Sequence, residues 1–295
     1  MIKFFADTAS IAEIDDCFTK DVDDGITTNP MIMKNAGVRD FSEACRSLIS
    51  RYPRVPISLE TDLQGIPISD LDTRVTDVKN VLLRQARTIA DYGANAVVKI
   101  PICRGGLEAV TELDNQGIKT NVTACMNAYQ ALTAAQAGAT YVSLFANRML
   151  DTHIFTLSGN PLNDIGAKGV EWKKIVADNK FRKWDCAWNA VMAQISYVAD
   201  ELRKNHPRTE LIVGSIRSPS DIERLTYASP HIITIPYGIV GQLRDIPALK
   251  MTQALPAGSF GGVVYGDSLT HPTTSLTLEE FERAADSYRN IGPSK

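Results

Sequence analysis

The chain alternates between two hydrophobic periods. Eight short runs rich in β-branched and aromatic residues recur along it: IKFFA (2–6), GITT (25–28), VPISLE (55–60), AVVKI (96–100), IKTNV (118–122), TYVSLF (140–145), ELIVGS (210–215) and HIITI (231–235). Their length and composition predict buried strands. Most of the gaps between them carry a helical period. Residues 73–91 place Val75, Val78, Leu82, Ala86, Ile89 and Ala90 on one face, and residues 126–137 do the same with Ala128, Leu132 and Ala135. Strands that alternate with helices indicate βα units around a parallel sheet, and eight such units indicate a (β/α)8 barrel, a fold of about 250 residues.

Two segments exceed a minimal barrel. Residues 149–185 follow the sixth strand and hold Asn, Gly, Pro, a charged EWKK run, Trp172 and Trp184. They read as an insertion. Residues 250–295 follow the eighth helix, with PAGSFGG as a break and TLEEFERAADSY as a terminal helix capped at Thr277. Phe260, Tyr265, Phe281 and Tyr288 make this extension able to cover the barrel or a neighbouring subunit in a homo-oligomer. No linker divides the chain, so residues 1–295 are expected to form one domain.

Composition narrows the function. The 295 residues are 44% hydrophobic and 22% charged, and 31 basic and 34 acidic residues are interleaved to a net charge of −3. Such a surface offers no basic stripe to a nucleic acid or an anionic membrane, which leaves a small molecule as the expected partner. No apolar run approaches the roughly 20 residues of a membrane helix, and an acidic residue comes too early for a signal peptide. The five cysteines are odd in number and without C-x-x-C pairs, which fits reduced thiols in a cytoplasm. His153, His206, His231 and His271 are scattered without metal-ligand spacing and read as surface or loop residues.

The chemistry is expected at the C-terminal ends of the strands. The polar residues there are Asp7, Thr27, Thr28, Asn29, Ser58, Glu60, Lys99, Asn121, Thr123, Ser143, Arg148, Ser215 and Arg217. A barrel turns such a set toward one mouth. Lys99 is the anomaly, because Lys is almost never buried unpaired. It reads either as a lysine that snorkels out or pairs with Asp7 or Glu60, or as a nucleophile. In the second reading, desolvation by Val97, Val98 and Ile100 favours the neutral amine that attacks a carbonyl, while nearby carboxylates oppose it. Asp7 reads as a helix N-cap or as a general acid/base, and Glu60 can also move protons. Arg148 and Arg217, with Ser215, match a clamp for a phosphate.

The motifs ADTA (6–9), TTNP (27–30), VVKIP (97–101), GIKTNVT (117–123), SLFANR (143–148) and GSIR (214–217) resemble, in order, those of transaldolases and the related fructose-6-phosphate aldolases. The resemblance implies that Lys99 forms a Schiff base, Asp7 is the acid/base on the donor hydroxyl, and Glu60 with Thr123 holds the catalytic water. It implies further that Asn29 and Asn121 bind donor hydroxyls, that Thr27, Ser58 and Ser143 line the pocket, and that Arg148, Ser215 and Arg217 bind phosphate. No metal or cofactor is expected, because the protonated imine holds the electrons of the cleaved bond. Glu60, Ser143, Phe145 and Arg217 resemble transaldolases where the aldolases carry Gln, Ala, Tyr and Lys. Transfer of a dihydroxyacetone unit from a ketose phosphate such as fructose 6-phosphate or sedoheptulose 7-phosphate is therefore favoured. The rival readings are release of free dihydroxyacetone, the same chemistry on an unusual sugar, and a sugar-phosphate binder without turnover. Cys125-Met126-Asn127, Leu144 and Ile216 depart from the usual pattern and surround the catalytic set without touching it.

Overall fold

The computed structural model describes residues 1–255, 260 and 268–289. Eight parallel strands close into a barrel in sequence order. In chain order the elements are β1 (Lys3–Asp7), α1 (Ile11–Phe18), β2 (Gly25–Thr27), α2 (Pro30–Asn35), α3 (Phe41–Arg51), β3 (Ile57–Glu60), α4 (Val75–Ala90), β4 (Ala96–Pro101), α5 (Arg104–Asn115), β5 (Thr120–Cys125) and α6 (Ala128–Gln136). They continue with β6 (Tyr141–Phe145), α7 (Ala146–Leu157), α8 (Trp172–Asn205), β7 (Glu210–Gly214), α9 (Pro219–Thr226), β8 (Ile232–Pro236), α10 (Tyr237–Val240), α11 (Ile246–Lys250) and α12 (Pro272–Arg289). All eight predicted strands form, each within three residues of its expected ends.

The period of two along each strand builds the site. One set of side chains points outward and joins the core beneath the helices, among them Phe4, Ile26, Leu59, Val98, Ile100, Val122, Val142, Val213 and Ile233. The opposite set fills the barrel. Phe5, Val97, Tyr141, Ile212 and Ile232 make an apolar layer of their own. Gly25 is the register partner of Phe5 across β1 and β2, and only glycine leaves room there, since a Cβ would lie 2.6 Å from the Phe5 ring. Two residues further along the same strands come Asp7, Lys99, Ser143, Gly214 and Thr234. The apolar layer is thus the floor on which the polar residues stand.

This alternation corrects the expected surroundings of Lys99. Val98 and Ile100 lie on the outer face of β4, and only Val97 shares the inward face with the lysine. Lys99 is buried all the same, with 3% of its surface exposed.

The segment 149–185 holds most of α7, a short 3-10 turn at Leu162–Asp164 and the first part of α8. Helix α8 runs for 34 residues, about 50 Å at 1.5 Å per residue. Its second half, with Trp188, Val191, Ile195, Val198 and Leu202, is buried as a barrel helix, whereas Phe181 in its first third is 97% exposed.

The terminal helix begins earlier than expected. Pro272 opens α12, and Thr277 is buried inside it with its hydroxyl donating to the Thr273 carbonyl at 2.7 Å. Pro at the first turn outweighs the Thr-Leu-Glu-Glu cap signal, and His271 Nδ1 accepts from the Thr273 N–H. The PAGSFGG break, apart from Phe260, and Tyr265 lie outside the described residues.

Two histidines depart from expectation as well. His153 within α7 and His271 before α12 are buried, and burial pushes both imidazoles down to about 4. They are neutral packing residues. Among the described residues no group of three His, Cys, Asp or Glu could hold a metal, and no helix is long and apolar enough to cross a membrane.

Candidate active site

Each polar residue of the barrel mouth is placed by its strand. Glu60 and Lys99 are register partners on β3 and β4, and Lys99 is in turn the partner of Asn121 on β5. Register partners whose side chains point inward are neighbours. Lys99 Nζ lies 2.9 Å from Glu60 Oε2, with both side chains about 96% buried, and donates to the Thr28 carbonyl at 2.8 Å. The lysine therefore pairs with Glu60.

Asp7 ends β1 with its carboxylate turned into the barrel. It does not cap α1, whose N-cap is Ser10. Burial pushes Asp7 up to about 6, while the charge of Lys99 and the Thr27 hydroxyl, 3.5 Å from Oδ1, pull it down. Desolvation dominates because Asp7 has a weaker set of partners than a buried carboxylate needs. Burial also pushes Glu60 up, against Lys99. The mouth thus brings a lysine and two carboxyl groups that resist ionisation into one site.

Three further side chains form a chain of hydrogen bonds. Ser143 Oγ donates to Asn121 Oδ1 at 2.7 Å, and Asn121 Nδ2 donates to Ser58 Oγ at 3.2 Å. They fix one another across three strands. Thr123 on β5 is fully buried, and its hydroxyl has no hydrogen-bond partner among the described residues. Asn29 serves the fold directly, since its Oδ1 caps α2 through the Ile32 N–H at 2.9 Å.

A cavity of about 290 Å3 opens over these groups. Eight of the sequence-predicted residues line it: Asp7, Thr27, Asn29, Lys99, Ser143, Phe145, Arg148 and Ser215. Glu60, Ser58, Asn121 and Thr123 are buried around it without lining it. Arg217 is also not in its wall. It is held by Asp151 of α7 through two hydrogen bonds of 2.8 and 2.6 Å, which keep the guanidinium charged.

The cavity wall includes residues that the pattern of strand ends did not reveal. Thr234 on β8 is one, buried with its hydroxyl unpartnered among the described residues. Its signal was available, because it lies two residues beyond Ile232 on the inward face. Glu280 and Phe281 are others. They come from α12, which lies over the mouth. Phe281 packs on Phe145 with ring centroids 6.4 Å apart, Glu280 pairs with Arg148, and the Leu63 N–H donates to Glu282 at 2.6 Å. The departures at 125–127 serve the same docking. Asn127 caps α6 and donates to the Ser268 carbonyl, while Thr274 of α12 donates to the carbonyl of Ala124 in the irregular end of β5.

The loop after β7 is wound tightly. Ser215 takes a left-handed conformation with φ of 63°, and Asp221 Oδ2 accepts from Arg217 N–H, Ser218 N–H and Asn147 Nδ2. A buried carboxylate that gathers three donors fixes this loop beside the cavity.

A lysine and two carboxyl groups buried at the C-terminal mouth of an eight-stranded barrel define a class, that of barrels whose polar groups gather where barrel enzymes carry their active sites. The family model described as Transaldolase/Fructose-6-phosphate aldolase matches residues 4–290. A probable transaldolase of Anaeromyxobacter sp. (strain Fw109-5) is 32% identical over 249 residues, covering 83% of this chain and 91% of its own. A probable transaldolase of Lachnoclostridium phytofermentans is 33% identical over 246 residues, with the same shares. One of Clostridium botulinum (strain Langeland) is 32% identical over 242 residues, 82% of this chain and 88% of its own. The chain belongs to the transaldolase/fructose-6-phosphate aldolase family of enzymes.

Proposed function

We propose that the enzyme transfers a dihydroxyacetone unit from a ketose phosphate, such as fructose 6-phosphate or sedoheptulose 7-phosphate, to an aldehyde acceptor through a Schiff base on Lys99. One observation carries the reading. A buried lysine touches a buried carboxylate and shares its cavity with a second carboxyl group, Asp7, that burial pushes up to about 6.

The steps follow from those groups. Burial lets Glu60 take a proton from the Lys99 ammonium, and the neutral amine attacks the substrate ketone. The carbinolamine loses water to give a protonated imine, with Glu60 returning the proton that the leaving hydroxyl needs. Glu60 and the unpartnered Thr123 hydroxyl are suited to hold that water. Asp7 then takes the proton of the hydroxyl beyond the bond to be cleaved. The carbon–carbon bond breaks, its electron pair passes into the protonated imine to give an enamine, and an aldose leaves. An acceptor aldehyde reverses the sequence: the enamine carbon attacks its carbonyl, Asp7 protonates the new alkoxide, and water releases the product from Lys99. A pKa near 6 suits a group that both takes and gives a proton near neutral pH.

Transfer rather than hydrolytic release is supported by Phe145. Its ring lines the cavity against Phe281 and has no hydroxyl with which to hold water at the enamine. Incubation with fructose 6-phosphate, with and without erythrose 4-phosphate, tests this point. Turnover should depend on the acceptor. Steady accumulation of free dihydroxyacetone in its absence would make the enzyme an aldolase.

A further inference from the structure

The two arginines expected to clamp a phosphate are already engaged by carboxylates of the protein. Arg217 and Asp151 form a two-point pair outside the cavity wall. Arg148 is different, because its partner stands in the wall with it. Arg148 Nη2 donates to Glu280 Oε2 at 2.5 Å across 132 residues of sequence, and both side chains line the cavity that holds Lys99.

We infer that Glu280 is a specificity-determining residue, which sets how much binding a substrate phosphate draws from Arg148. The inference rests on the Lys99 cavity being the substrate site. Arg148 and Glu280 keep 22% and 31% of their side-chain surface exposed, so water screens the pair and it is weak. A phosphate, which carries nearly two charges and fits a guanidinium fork, can displace such a carboxylate. The displaced carboxylate remains tethered to α12, however, and stands as a like charge beside the phosphate. An unphosphorylated sugar meets no such repulsion. Its terminal hydroxyl can accept from Arg148 and donate to Glu280 together. Glu280 thereby narrows the advantage of phosphorylated over unphosphorylated substrates.

Titration calorimetry with inorganic phosphate reads the effect without any Lys99 chemistry. Glu280→Gln should bind inorganic phosphate about fivefold tighter or more than the unaltered enzyme. The gain should vanish in the double variant Arg148→Gln/Glu280→Gln. The ratio of kcat/KM for fructose 6-phosphate to that for fructose should rise in Glu280→Gln by a similar factor. Glu280→Ala measures the same quantity if the glutamine packs poorly. Unchanged or weaker phosphate affinity in the folded variants overturns the inference, as does a gain that survives the loss of Arg148. If phosphate binds as expected but neither sugar turns over, the proposed reaction fails while the role of Glu280 stands.

Discussion

Lys99→Arg should fold, keep the charge opposite Glu60, and lose about 10^5-fold or more of kcat with any ketose donor. Guanidinium stays protonated and cannot form the imine, and removal of a covalent nucleophile is among the largest single losses an enzyme shows. Lys99→Met should be as inactive for the same reason. Its stability is informative too. Removing one partner of a buried pair usually costs about 3–5 kcal/mol, because the other charge is stranded. Burial already pushes Glu60 toward its neutral form, so Glu60 can take a proton and the loss should fall below that range at acidic pH and grow as pH rises. Steady-state kinetics and denaturant unfolding of the two variants across pH check both halves.

Asp7→Asn carries the second large effect, and its two consequences run in opposite directions. Loss of a positioned acid/base lowers rates about 10^2- to 10^4-fold. In the unaltered enzyme kcat/KM should rise with pH through about 6, since Asp7 must be ionised to take a proton. That limb should disappear in the variant. Stability should move the other way. Because burial raises the folded-state value, the native protein holds a proton on Asp7 between the ordinary carboxylate range and about 6, whereas the unfolded chain has released it. Stability therefore falls as pH rises through that window, and above it the ionised carboxylate destabilises the fold by about 3 kcal/mol. Asparagine has no such charge. The variant should exceed the unaltered enzyme in urea midpoint at pH 8 and match it near pH 4. An equal or lower midpoint at pH 8 would mean that Asp7 is ionised at no cost.

The barrel was legible because its information is local. Eight β-branched runs, each paired with a helical stretch, specify a closed parallel sheet once βα connections are all right-handed. Lys99 stood out because a lysine among Val97, Val98 and Ile100 must snorkel out, find a charged partner or react. The same run was misread in detail. Composition says that β4 is buried, but only the pleat decides that Val97 lines the barrel with Lys99 while Val98 and Ile100 face the helices. The contribution of α12 was legible only in outline. Phe281 and its aromatic neighbours mark a segment able to cover the barrel, but nothing in the helical pattern shows that Glu280 enters the cavity wall and meets Arg148, 132 residues away. The partner of Arg217 was hidden for a similar reason. Asp151 is one turn beyond Arg148 on α7, where a charged residue reads as a solvated helix face.

Covalent capture on Lys99 bears most directly on the proposed chemistry. Borohydride added to the enzyme with fructose 6-phosphate should reduce the imine, inactivate the enzyme irreversibly, and add the mass of the reduced donor or of its dihydroxyacetone fragment to the peptide that contains Lys99. Folded enzyme that turns over its donor yet carries no adduct at Lys99, or carries it on another lysine, would contradict the account.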